Sequence, residues 1–139
     1  MLTAWPQRAE HYAPDRFDIF EPGRCRMRRA VTAADLRPGG TVSGPTLMQL
    51  ADSASYALIL GHLGDAALAV TTSLSIDFLR RPVGPELVAD CELVKLGRSL
   101  VVCRVVLASA AKGADPDPDR PEAIANVTYS RSLVVTSGN

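Results

Sequence analysis

From Pro38 to Gly64 the chain carries a single formally charged side chain, Asp52, within a stretch otherwise built from small, apolar and neutral polar residues. A segment so poor in charge has no broad face to offer water, so the rest of the chain has to be arranged around it. Ser43 or Gly44 opens a helix there, with Pro45 near its first position, where a missing N–H does no harm. The spacing closes the helix near Gly61 or Gly64. Leu47, Leu50, Ala51, Ala54 and Leu58 fall on one apolar stripe. Met48, Asp52, Ser55 and Ile59 fall on a second, about 100° round from the first. A helix apolar on two sides is expected inside its own domain or between subunits, which sets Asp52 at a seam. An ionised acid in such a place costs several kcal/mol unless it is paired. Bonding to nearby backbone or to Arg37 would give it a structural role, and chemistry would give it a functional one.

The segments flanking the helix follow the two-residue period of strands. Cys25 and Met27 alternate with arginines from Arg24 to Val31. After the helix, Val70, Thr72, Leu74, Ile76 and Phe78 alternate with Thr71, Ser73, Ser75 and Asp77. Leu87 to Val94, Leu100 to Leu107 and Glu122 to Val135 continue the pattern, separated by turns at Arg80–Pro85 and Leu96–Ser99 and by a proline-rich loop at 111–121. Residues 1–23 mix aromatics and prolines and read as a short helix or an extended lead-in. A long helix followed by four or more antiparallel strands implies an α+β domain over residues 1–139, with the helix at about 43–61 and the strands within 66–135.

Fifteen basic residues balance fifteen acidic ones, and 47% of the chain is hydrophobic. That excludes disorder and a strongly basic nucleic-acid surface. Cys25, Cys91 and Cys103 have no metal-ligand spacing and suit reduced thiols packed in strands. No secretory signal pattern and no membrane-length apolar run is present, so a soluble cytoplasmic protein is expected, with no metal and no membrane partner. Neither a Ser-His-Asp set nor a phosphate-cradling glycine loop is found. His62, near the helix end, is expected to bond the last carbonyls.

Three blocks in order, Ser-Gly-Pro-Thr-Leu-Met-Gln-Leu-Ala-Asp-Ser-Ala from Ser43, Thr-Thr-Ser-Leu-Ser-Ile-Asp-Phe-Leu-Arg-Arg-Pro from Thr71, and Lys-Leu-Gly-Arg-Ser from Lys95, carry a resemblance. The chain resembles the hot-dog-fold acyl-CoA thioesterases of the phenylacetate-pathway type. The resemblance implies an antiparallel sheet wrapped around a central helix, assembly as a homodimer or homotetramer, an acyl-CoA substrate and no cofactor beyond the coenzyme A of that substrate. It implies that Asp52 acts as general base or nucleophile on the thioester and that the Gly44 backbone N–H polarises the carbonyl, the two coming from opposite subunits. It further implies that Thr71 or Thr72 holds the water or the carboxylate. Ser43, Arg37, Ser55 and Tyr56 stand where similar enzymes contact the substrate, and Arg80, Arg81 and Arg98 stand in turns suited to phosphate. Ser43 replaces the usual His and Pro45 the second Gly of the His-Gly-Gly motif. The alternative reading is therefore a non-catalytic acyl-CoA-binding or sensing protein on the same fold.

Overall fold

The computed structural model of the protein describes residues 16–64 and 69–131. Six strands form one antiparallel sheet: β1 (Arg16–Glu21), β2 (Arg24–Ala30), β3 (Val70–Phe78), β4 (Glu86–Leu96), β5 (Leu100–Ala110) and β6 (Ala123–Ser130), in the spatial order β1-β2-β4-β5-β6-β3. Among the described residues one long helix, α1 (Gly44–Leu63), packs against the sheet and touches every strand. This is the α+β layout that the helix and strand pattern implied, in the hot-dog arrangement that the resemblance implied.

The core lies between α1 and the sheet. Cys25, Met27, Leu87, Ala89, Cys91, Val101, Cys103, Val105, Ala123, Ala125 and Val127 present the inner face, and Leu47, Leu50, Ala51, Ala54 and Leu58 meet them from the helix. Alternation along each strand sorts these residues inward and the charged ones outward. All three thiols are buried and free, as strand packing requires. The hydrogen bond to Cys91 and burial push the Cys103 thiol far above its ordinary pKa, so it is no nucleophile.

The helix runs two residues past Gly61, to Leu63, and closes at Gly64, the later of the two ends that the spacing allowed. Leu60 and Leu63 pack on the core, and Gly64, with φ of 70°, ends the helix by donating its N–H to the Leu60 carbonyl. His62, in the last turn of the helix, reaches across to the sheet. Its Nε2 accepts the N–H of Gly23, 2.9 Å away in the β1–β2 turn, tying the helix end to the sheet edge.

The second half of the lead-in is a strand rather than a helix, because Phe17 and Phe20 stack on each other and pair β1 with β2 across the Pro22–Gly23 turn. Residues 1–15, 66–68 and 132–135, assigned above to the lead-in and to strands, lie outside the described residues. The loop at 111–121 is tied down at its start: Ala114 accepts from Arg28, Gly113 donates to Glu86, and Asp115 pairs with Arg26. Among the described residues no helix is long and apolar enough to cross a membrane, and no group of side chains could hold a metal ion.

Candidate active site

Two features meet the open side of α1. The first is the carboxylate of Asp52. Its helix face divides: Ser55 and Ile59 are fully buried against the sheet, Asp52 and Tyr56 are half-buried, and Met48 is 39% exposed. Asp52 and Ser55 stand about 60° apart round the helix, with Ser55 the nearer of the two to the core stripe. Ser55 donates to the Ala51 carbonyl at 2.9 Å and lies 3.8 Å from the Cys91 sulfur. It is therefore a satisfied hydroxyl buried in the core of this chain, apart from the Asp52 carboxylate's own hydrogen bonds.

Asp52 makes no bond to Arg37. Its Oδ1 accepts from the Thr71 hydroxyl at 2.9 Å and from the Tyr129 hydroxyl at 2.5 Å, while Tyr129 also reaches the Asp52 carbonyl at 3.0 Å. Among the described residues Oδ2 has no hydrogen-bond partner. Burial and the bond to Asp52 push the Tyr129 phenol well above its ordinary pKa, so at any working pH it is the donor. Its ring stacks on Tyr56, with centroids 5.9 Å apart.

Thr71 reaches Asp52 through an irregularity. Strict alternation puts Thr71 on the outer face with Ser73, Ser75 and Asp77, but the register of β3 against β6 shifts between Thr71 and Ser73. That β-bulge turns Thr71 to the same side as its cross-strand partner Tyr129. Thr72, left at the bulge, donates instead to the Thr128 carbonyl at 3.3 Å. Tyr129 is the site residue that the sequence reasoning missed. The available signal was its place in the alternating series Ala123, Ala125, Val127, Tyr129, because a buried tyrosine hydroxyl needs a partner.

The second feature is the start of α1. Ser43 is the N-cap: its hydroxyl accepts the Thr46 N–H at 3.3 Å, and its carbonyl accepts the Leu47 N–H. Pro45 has no N–H. Among the described residues, the Gly44 N–H is thus the one donor of the first turn left without a partner. It opens on a cleft of about 440 Å3. The segment Arg37 to Val42 forms one wall, and Phe78, Arg80, Arg81 and Pro82 form the other. A side chain at Gly44 would meet the Phe78 ring at 3.3 Å, so glycine lets that ring lie over the helix start.

Arg37, Arg80 and Arg81 share this cleft, all exposed, and no carboxylate among the described residues pairs with them. Arg98 lies elsewhere, in the β4–β5 turn closed by the Gly97 N–H to Leu100 carbonyl bond. The structure therefore gathers Ser43, Gly44, Arg37 and Arg81 in one place and Asp52, Thr71 and Tyr56 in another. Eight residues of helix separate Gly44 from Asp52, about 12 Å along the axis.

Residues 39–112, just over half of the chain, match the thioesterase superfamily. A solved structure described as a thioesterase, from Silicibacter sp. TM1040, superposes with a TM-score of 0.77 and 40% identity, covering 94% of this chain and 90% of that one. A mutant of the phenylacetic acid degradation protein PaaI from Thermus thermophilus gives 0.69 at 25% identity, over 85% and 93%. The E. coli PaaI protein, at 19% identity over 95% and 96%, shares the fold with a TM-score of 0.74. No curated protein matches the chain. Fold, family match and structural relatives agree: the chain belongs to the thioesterase superfamily, among the hot-dog-fold proteins of the PaaI-like kind.

Proposed function

We propose that the protein hydrolyses acyl-CoA thioesters to the free acid and coenzyme A, with Asp52 as the acting carboxylate and the Gly44 N–H as the carbonyl donor. The observation that carries this is the half-used carboxylate: Oδ1 is fixed by Thr71 and Tyr129 while Oδ2 stays open. Held in that way, Asp52 takes a proton from water as the hydroxyl adds to the thioester carbonyl, or adds itself to give a mixed anhydride that water then cleaves to the free acid. The tetrahedral oxyanion is met by the Gly44 N–H, and its collapse expels the coenzyme A thiolate. Arg81, with Arg80 and Arg37, offers guanidinium forks to the phosphates of the coenzyme. No separate cofactor enters.

A carbonyl within reach of both groups cannot lie along a single helix, given the separation of about 12 Å. We therefore assign the two groups to opposite subunits of a homodimer. Two surfaces support that reading. β3 is an edge strand, with Val70 48% and Phe78 51% exposed, and the half-open face of α1 carries Met48, Asp52 and Tyr56. Joining two sheets edge to edge sets these helix faces together.

Pro45 favours the second reading, a binding protein without turnover, because it leaves one N–H where two would hold the oxyanion better. A panel of medium-length aliphatic and aromatic acyl-CoAs, followed by release of free thiol, decides between them. Turnover that falls about 100- to 10,000-fold in Asp52→Ala, with the oligomer intact, supports hydrolysis. Tight binding with no thiol release supports the sensor.

A further inference from the structure

We propose that Asp35 is a positioning residue for catalysis: it aims the Gly44 N–H by gripping the N-cap of α1 from two sides. The inference rests on the reading above and adds a part to it. Asp35 is 3% exposed, and its carboxylate accepts four hydrogen bonds. Oδ2 takes the Thr32 N–H at 2.8 Å and the Thr32 hydroxyl at 3.1 Å. Oδ1 takes Arg29 at 3.0 Å and the Thr46 hydroxyl at 3.4 Å. Its backbone carbonyl accepts the Ser43 N–H at 2.8 Å.

The last two contacts close a ring around Ser43. The Ser43 N–H is held by the Asp35 carbonyl, and the Ser43 hydroxyl lies 2.9 Å from the same Thr46 hydroxyl that bonds the Asp35 carboxylate. The direction of the Gly44 N–H is that of the Ser43–Gly44 peptide plane, set by ψ of Ser43, which is 150°. With Ser43 pinned at its N–H and at its hydroxyl, that plane has little freedom to turn. A serine cap needs only the Thr46 N–H. A buried acid bonded four ways, linking β2, the 32–35 turn and the first turn of the helix, is more than capping asks for.

Asp35 also stands at the base of the cleft wall. Beyond it the chain folds back as a narrow hairpin, with Leu36 bridged to Val42, the Arg37 N–H on the Thr41 carbonyl at 2.8 Å, and glycines of positive φ at 39 and 40. The wall that carries Arg37 and the helix start that carries Gly44 are thus set by one carboxylate.

The test compares three variants in the thiol-release assay, with melting temperature and oligomeric state measured alongside. Thr46→Val keeps the shape and the backbone cap but cuts the link from Asp35 to the helix. Thr32→Val removes a hydroxyl from the far side of the same carboxylate and leaves the link whole. Asp35→Asn weakens both sides. The proposal expects kcat to fall about tenfold in Thr46→Val and about 10- to 100-fold in Asp35→Asn, the scale of a misplaced donor. It expects KM within about twofold in each, and Thr32→Val at the wild-type kcat. If Asp35→Asn fails to fold, the contrast between the two threonine variants decides. Wild-type kcat in Thr46→Val, or equal falls in both threonine variants, overturns the proposal while wild-type turnover leaves the hydrolase reading standing. A wild type that turns over no thioester removes that reading and this one together.

Discussion

Charge is handled in two different ways at the two faces of the sheet. On the outer face, Arg28, 2% exposed, bonds Asp18 at 2.8 Å, Glu86 at 3.1 Å and the Ala114 carbonyl at 2.9 Å. Glu86 in turn takes the Gly113 N–H and reaches Arg16. Each charged group there has its partners, and the result is a clamp that fastens β1 and the 111–115 segment to the sheet. On the helix side, among the described residues, Asp52 uses one oxygen of two, the Gly44 N–H has no acceptor, and three arginines share a cleft without an acid. Saturated charge holds structure together, because nothing is left over to bind. Unsaturated charge beside a cleft is where a substrate can supply what is missing.

Swapping Arg28 for Met should produce the largest change in stability and little in catalysis. It strands Glu86 and Asp18, and a drop in melting temperature of about 5 °C or more is expected, with kcat of the folded protein unchanged. A fall in kcat with an unmoved melting temperature would break the contrast between the two faces.

Tyr129→Phe probes the opposite side. It removes a donor that fixes Asp52 without opening a cavity, so kcat should fall about tenfold, the worth of one hydrogen bond to a charged group, at similar KM. Wild-type kcat would mean that the carboxylate is placed by Thr71 and helix packing alone.

The smallest effect concerns His62. Burial holds its pKa below the ordinary value, and its Nε2 must stay unprotonated to accept the Gly23 N–H. The unfolded chain therefore takes up the proton at a higher pH than the folded one. The stabilisation is present above about pH 6.5 and is lost as pH falls from there through the lower folded pKa. Melting between pH 7.5 and 5.5 should drop about 2 °C more in wild type than in His62→Gln.

What could be read from the sequence is what depends on periodicity. The helix, its core stripe of Leu47, Leu50, Ala51, Ala54 and Leu58, the strand faces and the isolation of Asp52 all follow from spacing along one element. The parts that escaped depend on contacts between elements. The bulge that turns Thr71 inward leaves no mark in a Thr-Thr-Ser run. The Tyr129 hydroxyl finds Asp52 only because β6 lies beside β3, a neighbour distant in sequence. Asp35 reads as a turn residue until the fold brings Arg29 and Thr46 onto it. Ser55 fell on the wrong side for a simpler reason: a stripe drawn at four-residue steps also takes in its three-residue neighbours.

The central claim is that one catalytic centre draws Asp52 from one subunit and Gly44 from the other. Gly44→Pro removes the N–H at a position where proline suits a helix start, and a Cβ there meets the exposed Phe78 side chain at 3.3 Å. Alone, Gly44→Pro and Asp52→Ala should each lose about 100-fold or more. The direct measurement is the turnover of a heterodimer of these two variants, isolated by two different tags. A shared centre leaves one of the two sites intact, so the heterodimer should recover about half of the wild-type turnover. A heterodimer no more active than its inactive parents would contradict the claim.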